Sequence, residues 1–415
     1  MKKASYYSTP SKGIGGRIKQ RISDFNVREI TPEGKICEIT LNEKNLSDSN
    51  ELVVPENRDE YKYLIVVMEK FNLDINEAIR RIARFNHFSR KRISYAGIKD
   101  KRAISSQRIS IYNPLPERMR EFNSRFIRLR EAEWSGKGID LGELKGNEFE
   151  ITIRDIELEE KEIERRVKEC SKEMKKGIAN YFGEQRFGGI RGITHLVGKE
   201  FVKGDFKKGV MLYLTESNER EEEEVRNARN NLKKSNDFSK AIKEFPNKVR
   251  YERAILNHLI KNEEDFIGAF RALPKKLRYL FVHAYQSHLF NEVINERISK
   301  GIGLKGVKGD VLIDGIPTAP LYGFESEFAG GKTGKIEKMV LEKEGIELKD
   351  FYVKKMKEMS SKGARKKIVL IPERLELLSV AKDEFNEGKL KAMLSFGLPK
   401  GDYATIVLRE LMKAD

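Results

Sequence analysis

Tyr95-Ala-Gly-Ile-Lys-Asp-Lys-Arg-Ala-Ile-Ser-Ser-Gln107 reads as a glycine-turned loop. It carries one acid, Asp100, between Lys99 and Lys101, and runs into the alternating segment 107–112. An acid held among cations has its ionised form favoured. An ionised carboxylate is a poor proton donor near neutral pH. It suits a nucleophile, or a group that stabilises positive charge in a transition state. The same residues also suit a surface turn in which the charges solvate one another, because structural ion pairs perturb acids too.

Outward from this loop the pattern alternates between strands and helices. Residues 34–41, 60–69 and 104–112 read as strands, as does the end of 141–154, where Phe149, Ile151 and Ile153 share a face. Residues 74–85 read as a helix with Asp74 as N-cap. In 159–175, Ile163, Val167, Cys170 and Met174 form one apolar stripe. Residues 15–25 read as an edge strand leading into a turn, and 1–14 as a mobile basic arm. Beyond about 205 the character changes. An acidic run at 216–224 suits a solvated face and would repel RNA. Residues 226–243 and 277–298 are helical, the second containing His283 and His288, which are spaced for packing or RNA contact and not for a metal. Strand patterns return at 364–371 and 391–396, and Asp402 is placed to cap a helix that buries Ile406, Val407 and Leu411.

The chain has 415 residues, enough for two or three domains. A net charge of +16 favours a polyanionic partner, nucleic acid before membrane. No apolar run approaches the roughly 20 residues that span a bilayer, and the N-terminus lacks the apolar core of a signal peptide. Cys37 and Cys170 fit a reducing cytosol, and neither pairs with a histidine at metal-ligand spacing. Gly330-Gly-Lys-Thr-Gly334 resembles part of a phosphate loop. The Walker pattern needs glycine at 326, where the chain has Ser326. The stretch Ala179-Asn-Tyr-Phe-Gly-Glu-Gln-Arg-Phe-Gly188 suits an ordinary hydrophobic loop. It also supplies what a nucleobase pocket wants: a ring to stack on, an amide to read the base edge and an arginine for phosphate.

Together these stretches resemble the TruD family of transfer-RNA pseudouridine synthases. Gly97, Lys99, Asp100, Lys101, Ala103, Ser105 and Gln107 fall on the family signature G-x-K-D-[KR]-x-A-x-[TS]-x-Q. The segments 141–149, 180–188 and 398–411 match further family motifs in order, and 283–291 resembles a family helix with His288 where an aromatic is more usual. The resemblance implies an α+β fold: a catalytic domain with a mixed, largely antiparallel sheet flanked by helices, made of 1–205 and 364–415, and an α/β insertion at 206–363. It implies that Asp100 is the catalytic residue and that Lys19, five residues before Asp24-Phe25, pairs with it. Asn180 and Phe182 would line the active site, with Phe182 against the target base. Arg186 would make a phosphate or scaffold contact.

The implied reaction converts a uridine of transfer RNA, at position thirteen of the D-arm, to pseudouridine; a site in another structured RNA is the related expectation. It is an isomerisation and calls for no cofactor and no metal, in the cytoplasm. Two other readings compete. A non-catalytic RNA-binding or chaperone protein on the same fold would have no need of the Asp100, Lys19, Asn180 and Phe182 set. An RNA methyltransferase would need a cofactor-binding glycine loop, and the glycines at 13–16 are not followed by a helix pattern.

Overall fold

The computed structural model describes residues 6–48, 52–58 and 60–414. The chain forms two compact units, Thr9–Gly177 with Ile371–Asp415, and Met1–Ser8 with Ile178–Leu370. Residues 178–205 and 364–370, which the resemblance assigns to the catalytic part, pack in the second unit together with 206–363.

The first unit is organised by one eight-stranded mixed sheet. Its strands in chain order are β1 (Phe25–Ile30), β2 (Tyr63–Phe71), β3 (Ile93–Tyr95), β4 (Ile104–Tyr112), β5 (Ile127–Ser135) and β6 (Gly146–Ile156), followed by the C-terminal strands Glu373–Lys382 and Leu390–Pro399. The spatial order is Glu373–Lys382, Leu390–Pro399, β6, β1, β4, β2, β5, with β3 added beside β4. Neighbours are antiparallel except β1 and β4, which run parallel with Val27 opposite Ser105. The fold is thus α+β with a mixed, largely antiparallel sheet.

The helix Ile75–Phe85 forms because Ile75, Ala78, Ile79, Ile82 and Ala83 recur at helical spacing, and Asp74 caps it by accepting from the Asn76 amide. Its apolar face packs with Leu64, Val66 and Met68 of β2, Ile109 and Ile111 of β4, and Ile127 and Leu129 of β5. The helix Glu160–Met174 buries the expected stripe of Ile163, Val167, Cys170 and Met174.

The second unit is mainly helical. The 25-residue helix Lys275–Ser299 runs through it and packs against Thr194–Val202, Gly331–Glu344 and the strand Ile316–Leu321. That strand lies between Leu312–Ile313 and Ala364–Lys367, and Val369–Leu370 pairs with Ile178–Ala179. The glycine-rich run at 330–334 opens the helix Gly331–Glu344. There Thr333 is buried, bonded to Asp310 and Arg297.

Several local expectations are corrected. Residues 34–41 are not a strand. They make one bridge, Ile36 with Ile30, and the Cys37 amide donates to the Glu29 carbonyl; further on side chains take over, the buried Glu69 carboxylate accepting from the amides of Thr40 and Leu41 and Arg130 donating to the Glu38 carbonyl. Of the expected basic arm, residues 1–5 lie outside the described residues. Residues 9–14 are held in place: Thr9 donates twice to Glu410, Ser11 to Glu173, and the Ile14 amide to the Leu411 carbonyl. Before β1 begins at Phe25, the expected edge strand at 15–25 is reduced to one bridge, Arg17 with Arg154, flanked by the left-handed φ of Gly15 and Gly16 (70° and 85°) and of Lys19 (59°). The last helix, Ala404–Met412, has Tyr403 and not Asp402 at its cap position. It buries Ile406, Val407 and Leu411 as expected.

Candidate active site

The meeting of Lys19 and Asp100 follows from strand direction. Because β1 and β4 run parallel, the chain entering each arrives at the same end of the sheet. Lys19 lies just before β1 and Asp100 just before β4. The β2 strand is antiparallel to β4, so its C-terminal residues Glu69 and Lys70 reach that end as well. The Lys19 ammonium lies 3.2 Å from Asp100 Oδ1 and 3.9 Å from the centre of the Phe25 ring. The Asp100 side chain is 34% exposed. The pair is therefore open to an incoming ligand, and the ring covers one side of the ammonium. A non-glycine residue in left-handed geometry carries strain of about 1 kcal/mol or more, of the kind that gathers at functional sites.

The signature loop is held by more than its glycine. Gly97 has a negative φ and room for a methyl group, so its turn does not depend on glycine. Four bonds fix the loop instead. Lys99 pairs with Glu29 at 2.8 Å, both side chains being buried. Lys70 donates to the Asp100 carbonyl at 2.7 Å. Gln107 donates to the Gly97 carbonyl at 2.9 Å, and the Gly142 amide to the Ala96 carbonyl at 2.7 Å. Glu29 also accepts from the Arg108 amide in β4, which ties β1 to the loop and the strand that follows it.

The second expected group lies in the other unit. Asn180 is buried; its amide bonds the Ile368 carbonyl and its side chain donates to the Lys367 carbonyl. Phe182 is buried with its ring against Phe290 at 5.3 Å, edge to face. The Arg186 guanidinium lies 5.7 Å and the Lys366 ammonium 5.5 Å from the centre of the Phe182 ring. Arg186 donates to Ser287 at 3.0 Å. The structure thus joins Lys19 to Asp100 in one unit, and Asn180, Phe182 and Arg186 in the other.

Three contributing residues were not singled out in the sequence. Asn291 grips the Phe182 backbone at both ends, accepting from its amide at 2.8 Å and donating to its carbonyl at 3.0 Å. Glu29 and Lys70 support the Asp100 loop. The available signal was a charged residue inside an apolar strand run, as in Phe25-Asn-Val-Arg-Glu-Ile30 and Tyr63-Leu-Ile-Val-Val-Met-Glu-Lys-Phe71. Buried charges require partners.

Comparison with known proteins identifies the family. The sequence profile of the family described as tRNA pseudouridine synthase D (TruD) matches residues 2–316 and 313–411. A Methanosarcina mazei relative that carries the family name is 40% identical over 99% of this chain and 96% of its own length. Another, from Methanococcoides burtonii, is 38% identical over 99% of this chain and 95% of its own length. A crystal structure of a Methanosarcina mazei protein under the same family name superposes with a TM-score of 0.79, at 39% identity over 99% of this chain and 96% of that one. The chain belongs to the tRNA pseudouridine synthase D family. It is accordingly an isomerase of the pseudouridine synthase class.

Proposed function

We propose that this enzyme converts one uridine of transfer RNA, position thirteen of the D-arm, to pseudouridine, with Asp100 as nucleophile. The observation that carries the assignment of Asp100 is the Lys19–Asp100 pair at 3.2 Å on a partly exposed loop. The ammonium holds the carboxylate on a partly exposed face of the loop, from which it can attack. The reaction breaks the bond between N1 of uracil and C1′ of ribose and joins C5 to C1′. C5 loses a proton and N1 gains one, so the balance closes without a redox partner or nucleotide. The target uridine must leave its stack to meet Asp100. Phe182 would keep the detached base stacked, Asn180 would hold the base or the pocket, and Arg186 a phosphate or the scaffold. The +16 charge supports an RNA partner, and a transfer-RNA substrate a cytoplasmic site. The division into a catalytic part, 1–205 with 364–415, and an inserted part, 206–363, belongs to the same proposal.

The test uses a transfer-RNA transcript and purified protein with no added cofactor. Pseudouridine is mapped by chemical adduct and reverse-transcription stops. A single stop in the D-arm is expected. Tight RNA binding with no stop on transfer RNA or on a pool of structured RNA would favour the RNA-binding reading instead.

A further inference from the structure

Lys70 is fully buried at the C-terminal end of β2, and the proposed chemistry gives it no role. Among the described residues its side chain makes one hydrogen bond, to the carbonyl oxygen of Asp100 itself at 2.7 Å. Its neighbours across the sheet are Ser105 of β4 and Ile127 of β5, neither of them charged. The charged groups around it are Asp100 and Lys99 in the loop and Asp74 at the helix cap.

Burying an ammonium is costly, and an apolar residue at this strand position would cost far less. A cation retained there, spent on one carbonyl, points to a demand from the loop. We propose that Lys70 is a positioning residue for the isomerisation: its ammonium fixes the Asp100 peptide while Lys19 fixes the Asp100 carboxylate. Two anchors, one on the backbone and one on the side chain, leave the carboxylate little freedom. Small displacements of a reacting group cost about 100-fold in rate. This inference rests on Asp100 acting in catalysis.

The arrangement also sets a pH limit. Burial pushes Lys70 down to about 8; the nearby Asp100 and Asp74 oppose the shift and Lys99 adds to it. Above that pH the amine is neutral and is a weaker donor to the carbonyl. The reaction should therefore slow as the pH passes about 8.

The experiment measures single-turnover pseudouridine formation on a transfer-RNA transcript from about pH 6 to about pH 9.5, for the wild type, Lys70→Met and Lys70→Gln. RNA affinity and melting temperature are measured in parallel. The expected results are a wild-type rate that declines near pH 8, and variants about 10- to 100-fold slower at pH 7. The variants should bind RNA as tightly as the wild type and lack the decline. A purely structural role would lower the melting temperature and leave the decline in place. A wild-type rate that does not fall through pH 9.5 overturns the proposal without any variant. So does a Lys70→Met enzyme with the wild-type rate and profile. A wild type that forms no pseudouridine on any RNA overturns the functional reading, and this inference with it.

Discussion

At the residue scale, the loop that carries Asp100 rests on charges placed where water cannot reach them. Lys99 and Glu29 are both buried and 2.8 Å apart. Breaking such a pair from one side leaves an uncompensated charge and costs about 3–5 kcal/mol. Glu29→Gln should lose stability on that scale in urea unfolding, and lose activity beyond what the lost fold explains. A change below about 1 kcal/mol would mean that the pair does not hold the loop. Lys70 makes the opposite prediction for stability. Its folded pKa of about 8 lies below the ordinary 10.5. The unfolded chain therefore binds the proton more readily between those values, and stability rises with pH across that window. The charge costs about 3 kcal/mol at neutral pH. Urea unfolding at pH 7.5 and 10 should show this rise in the wild type relative to Lys70→Met, and equal pH responses would contradict it.

The same residues show how much of the site was legible in the sequence. Asp100 and Lys19 were legible because their types and spacings match a family signature. The reason they touch was not, since it lies in the parallel pairing of two strands far apart in sequence. Glu29, Lys70 and Asn291 were hidden for a related reason. A charged or amide side chain in a strand or helix run shows no partner until the fold supplies one.

At the element scale, periodicity was a good guide wherever one face is buried. The helix Ile75–Phe85 and the stripe of Glu160–Met174 are cases of this. It failed at 34–41, where alternation is present but pairing with β1 stops at a single bridge and Glu69 and Arg130 hold the rest. It also missed Glu373–Lys382, a mostly exposed strand in which the alternation of Leu375 and Leu377 is broken by a register shift before Ser379. Around the second motif, the short helix Glu184–Phe187 is backed by an aromatic cluster. Phe187 lies 5.2 Å from the buried His195, whose ring is 4.8 Å from His288. Burial, and next the neighbouring His288, push His195 down to about 4 from its ordinary 6.5. Between those values the unfolded chain holds more protons than the folded one. Stability should then fall as the pH drops through the window, by up to about 3 kcal/mol from this group. Denaturant unfolding at pH 7 and 4.5 should show a smaller acid loss in His195→Phe than in the wild type. An equal loss would place the acid sensitivity elsewhere.

At the scale of the whole molecule, 81 basic residues against 65 acidic ones give the chain its excess of positive charge. A footprint that neutralises several phosphates releases counterions, and affinity then falls by about 10³-fold or more between 50 and 200 mM salt. A flat salt response in a filter-binding assay would contradict an extended RNA contact. The sheet, its one parallel pair and the buried supports beneath the signature loop all converge on a single carboxylate. The most direct measurement compares the wild type with Asp100→Asn in single-turnover formation of pseudouridine on transfer RNA, with RNA affinity measured alongside. Asparagine keeps the shape and the loop and removes the nucleophile. The account predicts no product from the variant at nearly unchanged affinity. Appreciable turnover by Asp100→Asn would contradict it.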